Sequence, residues 1–208
     1  MFRILTIDDH EVVREGIKGI FQAGTAEFGE ARSGPEALKL ASERDWDIAV
    51  LDISLGGRSG LEVLKDLKEL RPRLPVLILS MHAEEQYAVR AFKAGASGYI
   101  SKESSRDDLH KAILKIIKGG RYVSPAFSER MVVHLGPDSE KSPHETLSDR
   151  EMEVLSLIAS GKTVGEIAHQ LSLSDKTIST YRRRILEKMG MSTSAELTHY
   201  AIRSKLVD

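Results

Sequence analysis

Three carboxylates, a hydroxyl and an ammonium recur along this chain at intervals that could bring them together: Asp8 and Asp9, Asp52, Ser80 and Lys102. Each ends or follows a short apolar run, the place where a chain leaves a buried strand and a side chain can turn into a crevice. Three carboxylates converging there repel one another and raise a pKa, so the arrangement favours a bound divalent cation. With no His or Cys expected nearby, the oxygen-only set suits magnesium, which takes a few carboxylates, waters and a phosphoryl oxygen. A carboxylate held beside that ion can attack a phosphoryl donor, while the ammonium and the hydroxyl stabilise the phosphoryl oxygens. Taken singly, each residue has a plainer role: Asp8 or Asp9 caps the helix that follows, Lys102 is solvated and Ser80 ends a strand. The chemistry rests on all five reaching one crevice.

The elements that must position them are legible in the first 120 residues, where strand-like and helix-like segments alternate. That alternation predicts an α/β fold, a doubly wound five-stranded parallel sheet with helices on both faces. The strands are expected at 2–7, 26–31, 48–51, 76–79 and 98–100. Ser33-Gly34-Pro35-Glu36 has the spacing of a capping box and opens a helix to about Arg44. Further helices are expected over 59–70, 84–93 and 105–118, the last stopping at Gly119-Gly120. A helix over 124–135 and a Gly- and Pro-containing linker over 136–144 follow.

From Thr146 the character changes to four short helices without strands. Ser148-Asp149-Arg150-Glu151 is a capping box with Leu147 and Met152 as its hydrophobic staple, and Gly161 stops that helix. Thr163 to Glu166 repeats the capping spacing, Ser174 caps a third helix that Gly190 ends, and a fourth begins near Thr193. In the third helix Ile178, Ile185 and Met189 form a core stripe, while Lys176, Thr180, Arg183, Arg184 and Glu187 follow another face. Alone, Arg182-Arg183-Arg184 reads as a solvated face. After a tight turn and a capped helix it reads as a helix-turn-helix whose second helix enters the major groove of DNA.

Composition narrows the classes without deciding among them. The chain has 208 residues, 30 basic against 31 acidic and no cysteine, with 41% hydrophobic residues. It is too apolar for a disordered chain and too charged for a membrane protein, and thiolate metal sites and cysteine nucleophiles are excluded. Asp8 and Asp9 interrupt any leader-like start, so no signal peptide and no membrane partner are expected, and a cytoplasmic address is the default. Residues 1–145 sum to −2 and residues 146–208 to +1, so neither half is a diffuse polyelectrolyte.

The motifs Ile7-Asp8-Asp9-His10, Val50-Leu51-Asp52-Ile53 with Gly60, Leu79-Ser80 and Gly95-Ala96-Ser97-Gly98-Tyr99-Ile100-Ser101-Lys102 resemble the receiver domain of two-component response regulators over residues 1–120. The resemblance implies that Asp52 is the phosphoacceptor, that Asp8, Asp9, Asp52 and the backbone carbonyl of Ser54 bind Mg2+, and that Lys102 contacts the phosphoryl group. It further implies that Ser80 and Tyr99 form a conformational switch. Two positions depart from the pattern: Glu103 stands where many receivers carry proline, and the loop Leu55-Gly56-Gly57-Arg58 lacks the proline common there.

Leu147-Ser148-x-Arg150-Glu151, Gly161-Lys162, Glu166-Ile167-Ala168 and Lys176-Thr177-Ile178 resemble the LuxR-type helix-turn-helix domain of the NarL/FixJ family over about residues 145–206, with the domain set at 146–208. The stretch from Lys176 to Ile185 is similar to the GacA/UvrY branch. By that resemblance Ser179, Thr180 and Arg183 face base edges, and Lys176, Arg182, Arg184 and Lys188 meet phosphates. A homodimer on DNA through the last helix is implied. Residues 121–145 are then a linker helix and flexible linker.

The expected function is a response regulator transcription factor rather than an enzyme. Its partners are a sensor histidine kinase, double-stranded promoter DNA and, as a further candidate, RNA polymerase. The alternatives weighed are a regulator that binds DNA without phosphorylation, an output through protein contacts, and an aspartyl phosphohydrolase. Against the last, Ser54 occupies the position where such enzymes place a second aspartate.

Overall fold

The structure is a computed structural model that describes all residues except 56–57, 82–83, 126, 129–141, 205 and 208. It divides into two compact units, Met1–Arg130 and Met131–Asp208.

The first unit contains β1 (Phe2–Ile7), α1 (Glu11–Lys18), β2 (Ala26–Ala31), α2 (Gly34–Glu43), β3 (Ile48–Asp52), α3 (Gly60–Leu70), β4 (Val76–Ser80), α4 (Glu84–Lys93), β5 (Gly98–Ser101) and α5 (Arg106–Ile117). The strands form one sheet in the order β2-β1-β3-β4-β5, every neighbouring pair parallel. The expected α/β fold is therefore the observed one. Because side chains alternate across a strand, Ile4, Val50, Leu77, Leu79 and Ile100 share one face and pack against Ile17 of α1 and Leu109, Ile113 and Ile116 of α5. Leu5, Ile7, Leu51, Ile78 and Tyr99, also buried, fall on the opposite face.

The strands β3, β4 and β5 each run one residue further than their apolar runs. Asp52 pairs with Leu79, and Ser80 with Ser101, so polar side chains leave from the last paired position of the sheet. Apolar patterning does not register these ends, because the ladder is made of main-chain atoms that any residue supplies. At Ser33 only half of the expected capping box forms. Its hydroxyl accepts from Glu36 N–H at 3.4 Å, but the Glu36 carboxylate takes the N–H of Arg32 instead.

Beyond α5 the chain returns to the outer edge of β5. Tyr122 makes a single parallel bridge with Gly98, accepting from Tyr99 N–H at 3.0 Å and donating to Ser97 O at 3.1 Å. The expected helix over 124–135 begins as expected, with Ser124 Oγ accepting from Phe127 N–H at 3.1 Å and Ser124 O from Ser128 N–H at 3.0 Å; residues 129–135 and most of the linker lie outside the described residues.

The described residues of the second unit form a 3-10 helix, Pro143–Thr146, followed by α6 (Asp149–Ala159), α7 (Val164–Gln170), α8 (Asp175–Met189) and α9 (Ser194–Arg203). Both expected capping boxes, Ser148 with Glu151 and Thr163 with Glu166, are complete. The turn between α7 and α8 passes through Ser172 at φ 52°, and α8 ends at Gly190 in the left-handed region, φ 65°. The buried Arg150 guanidinium pairs with the buried Glu153 carboxylate at 2.5 Å and donates to Leu171 O at 3.2 Å, tying α6 to that turn. His144 Nδ1 lies 2.8 Å from the Tyr200 hydroxyl, fastening the 3-10 helix to α9.

Removing one partner of a buried ion pair strands the other. Arg150→Met should cost about 3–5 kcal/mol, and Arg150→Met combined with Glu153→Leu should recover most of it. Urea unfolding followed by helical circular dichroism checks this, and equal losses in the two variants would count against it.

Candidate functional site

The first site lies where the C-terminal ends of β1, β3 and β5 meet. Asp8 and Asp52 are each 2% exposed. Two carboxylates this deeply buried cannot both stay ionised without a counter-charge. Lys102 supplies it, with Nζ 2.7 Å from Asp8 Oδ2 and 2.7 Å from Asp52 Oδ2. Burial pushes the Asp52 carboxyl above its ordinary range, Lys102 pulls it back and Asp8 pushes it up again, leaving it raised. Burial draws the Lys102 ammonium down, but Asp52 and Asp8 outweigh that and leave it raised. Lys102 is itself aimed by its own N–H, which donates to Ser80 O at 2.7 Å. The Lys102-Glu103 peptide is trans, as are all peptides of the described residues.

Asp9 stands at the rim, partly exposed, and His10 joins the group. His10 Nδ1 lies 2.8 Å from Asp9 Oδ1 and 3.2 Å from Asp8 Oδ1. One donor atom from each of Asp8, Asp9, His10 and Asp52 falls within 4.8 Å of the others. The cluster is thus not free of histidine, contrary to the oxygen-only expectation. Reading His10 only as part of the motif hid the fact that its ring folds back over both carboxylates. Nor does Asp8 or Asp9 cap α1, whose N-cap is His10 without a side-chain bond; Asp8 Oδ1 accepts the His10 N–H at 2.8 Å instead. Ser54 follows in the next loop and donates its N–H to Asp52 Oδ1 at 3.2 Å. Formally, three carboxylates against one ammonium leave two negative charges, the balance a divalent cation fits.

Two further residues shape the pocket. A Cβ at Gly60 would stand 2.1 Å from Asp52 O and 2.6 Å from Ile53 Cα, so only glycine lets α3 start this close to the end of β3. Gly60 N–H donates to Ile53 O at 2.7 Å across that approach. Arg14, buried on α1, donates from Nη1 to Asp8 O at 2.7 Å. It went unassigned in the sequence because an arginine in a helix flanked by Val13 and Glu15 reads as solvated. Ser80 and Tyr99 are both fully buried on one face of the sheet.

The second site is the exposed side of α8. Ile178, Ile185 and Met189 are buried, as their spacing requires. Lys176, Ser179, Arg183 and Arg184 are exposed and Thr180 is half-buried, its hydroxyl donating to Lys176 O at 2.9 Å. Arg183 lies 4.0 Å from Glu187 one turn on. Two of the basic residues have partners in other elements. Arg182 donates to Ser194 Oγ at 2.7 Å at the start of α9, and Lys188 bonds Glu151 Oε2 at 2.5 Å. Burial raises the Glu151 carboxyl, but Lys188 and the Ser148 backbone and hydroxyl outweigh it and hold the group below its usual range.

Both parts of the chain match known families. Residues 4–114 match the response regulator receiver domain, and residues 145–201 match the bacterial regulatory proteins of the luxR family. The chain is 34% identical to the response regulator UvrY of Escherichia coli (strain K12) over 209 residues, spanning 99% of this chain and 96% of UvrY. It is also 34% identical to the response regulator GacA of Pseudomonas aeruginosa over 211 residues, spanning 100% and 99%. A solved structure of RcsB from Salmonella enterica serovar Typhimurium, bound to promoter P1flhDC in the presence of phosphomimetic BeF3−, superposes with a TM-score of 0.65 at 25% identity, covering 96% of this chain and 97% of RcsB.

Lys102→Met keeps the bulk of the side chain and removes its charge. The Asp52 carboxyl should then titrate at still higher pH than in the unmodified protein, because burial and Asp8 act on it unopposed. A carboxyl 13C titration reads this directly, and an unchanged Asp52 midpoint would refute the role given to Lys102.

Proposed function

Because the chain belongs to the two-component response regulators, with a receiver domain followed by a LuxR-type DNA-binding domain, we propose that a sensor histidine kinase phosphorylates Asp52 and that the chain then binds promoter DNA as a homodimer. The protein is a transcriptional regulator and not an enzyme. The observation that carries the phosphoryl step is the Lys102 ammonium, 2.7 Å from both Asp8 and Asp52 inside a buried pocket.

In that step an Asp52 carboxylate oxygen attacks phosphorus, the N–P bond of a phosphohistidine breaks, and the imidazole leaves with a proton. Lys102 needs only to turn its ammonium from the Asp52 oxygen toward the phosphoryl oxygens. Asp8, Asp9 and Asp52, with the Ser54 carbonyl, are the residues that would hold magnesium, which when bound neutralises phosphoryl charge. The Ser80 hydroxyl, at the end of β4, would be drawn toward the new oxygens, and Tyr99 shares its buried face, so the pair would form the switch.

Residues 1–120 make up the receiver, 121–145 the linker and 146–208 the output domain. On α8, Ser179, Thr180 and Arg183 read bases, while Lys176, Arg182, Arg184 and Lys188 hold phosphates. Arg182 and Lys188 would exchange their bonds to Ser194 and Glu151 for phosphate, so their contacts come at the expense of internal ones. RNA polymerase is a further partner in this reading, and the cytoplasm its setting. Among the described residues no helix is long and apolar enough to cross a membrane.

Incubation with acetyl phosphate and magnesium should label the protein once per chain, and Asp52→Ala should abolish the label. Label that survives this substitution would sink the phosphoacceptor assignment. Arg183→Ala should weaken binding to a selected operator by about 1–3 kcal/mol and relax sequence preference. Lys176→Ala should weaken binding to all sequences alike and lower its salt dependence. Gel-shift titrations at several salt concentrations separate the two outcomes.

A further inference from the structure

Behind the acidic pocket lies a cation that the phosphoryl step does not use. Arg14 is 1% exposed. Its Nη1 donates to the backbone carbonyl of Asp8 at 2.7 Å, and its Nε to Glu30 Oε2 on β2 at 3.0 Å. Lys18, one turn along α1, holds the other oxygen of Glu30 at 2.5 Å. From the opposite side, Asp8 N–H donates to Ala31 O at 3.1 Å. The Asp8 residue is therefore clamped at both its backbone polar atoms. Its carboxylate leaves this fixed base toward Lys102, 2.7 Å away, and toward the His10 N–H, 2.8 Å away.

A packing role alone does not call for a guanidinium here. Burying the charge costs desolvation that an aliphatic side chain of similar length would avoid. What the guanidinium adds is a donor fork, one arm on the loop that carries Asp8 and Asp9 and the other on β2. Resting on the phosphoacceptor reading above, we propose that Arg14 is a positioning residue for the acidic pocket, setting the Asp8 carboxylate against Asp52 so that magnesium binds tightly. It acts through the Asp8 backbone and touches neither the ion nor the phosphoryl donor. Groups that orient metal ligands from behind are worth about 10–100-fold in metal affinity. Arg14 holds the main chain and not the carboxylate itself, so its effect belongs at the lower end of that range.

The test uses the full-length protein. Calorimetric titration with MgCl2 in the absence of donor gives the binding midpoint, and acetyl phosphate labelling across magnesium concentrations gives the midpoint and the saturated rate. Arg14→Gln should weaken the magnesium midpoint about tenfold, with Arg14→Lys and Glu30→Gln falling between it and the unmodified protein. The labelling rate at saturating magnesium should stay near that of the unmodified protein in all three. A lowered melting temperature with an unmoved magnesium midpoint would show a merely structural role and overturn the proposal. So would a collapsed saturated rate at an unchanged midpoint. Glu30→Gln leaves the arginine in place, so the question is decided even where Arg14→Gln does not fold. A protein that binds magnesium but takes no label on Asp52 defeats the phosphoacceptor reading, while the calorimetric comparison still judges Arg14.

Discussion

Two buried carboxylates facing one ammonium set the terms for the first unit. Asp8 and Asp52 come from different strands, and Lys102 from beyond a third, so the triangle closes only if β1, β3 and β5 end at the same level. The parallel sheet provides that level. Its apolar faces are filled on both sides, which fixes register, and register fixes where the last paired residue lies. A one-residue slip of β3 would turn Asp52 to the other face and leave Lys102 with half its counter-charge. The apolar core and the polar pocket are in this sense one constraint seen from two ends.

Much of this was legible in the sequence, and the failures share a cause. Apolar runs located all five strands, and capping residues or apolar stripes located the helices other than α1, because burial and local hydrogen bonds both leave marks on residue type. Asp52, Ser80 and Ser101 escaped as strand residues because main-chain pairing is indifferent to side-chain polarity. Asp8, Asp9, Asp52 and Lys102, which the structure brings together, were recognisable as a set through their spacing. Arg14 and His10 were not, since their roles depend on where a helix or a ring turns after the chain has folded. The Ser33 box formed only in part for a similar reason: the Arg32 N–H competed for Glu36, and spacing alone does not reveal a competitor.

The second unit is specified more locally. Among the described residues, each of its α-helices begins at a Ser or Thr whose side chain accepts a hydrogen bond from the first turn. Beyond the apolar core that Leu155, Ile167, Ile178, Ile185 and Leu197 supply, polar ties between its elements include Arg150 to Leu171 O, Lys188 to Glu151, Arg182 to Ser194 and His144 to Tyr200. These ties hold the end of α7, the end of α8 and the 3-10 helix. Lys188 illustrates the economy of the arrangement. The same side chain that bonds the capping carboxylate of α6 belongs to the basic helix α8, so the fold and the proposed surface for nucleic acid draw on one cation.

The return of Tyr122 to β5 also bears on how the sheet meets other molecules. A parallel sheet that stops at an edge strand leaves a row of main-chain donors and acceptors able to recruit a strand from another chain. In this protein the outward-facing groups at Ser97 and Tyr99 are already taken by a residue of the same chain. The bridge fits because Gly98 has no side chain, as a Cβ there would meet Tyr122 O at 2.9 Å. A single tyrosine after α5 thus occupies part of this edge from within the chain, at the cost of one glycine in a buried strand.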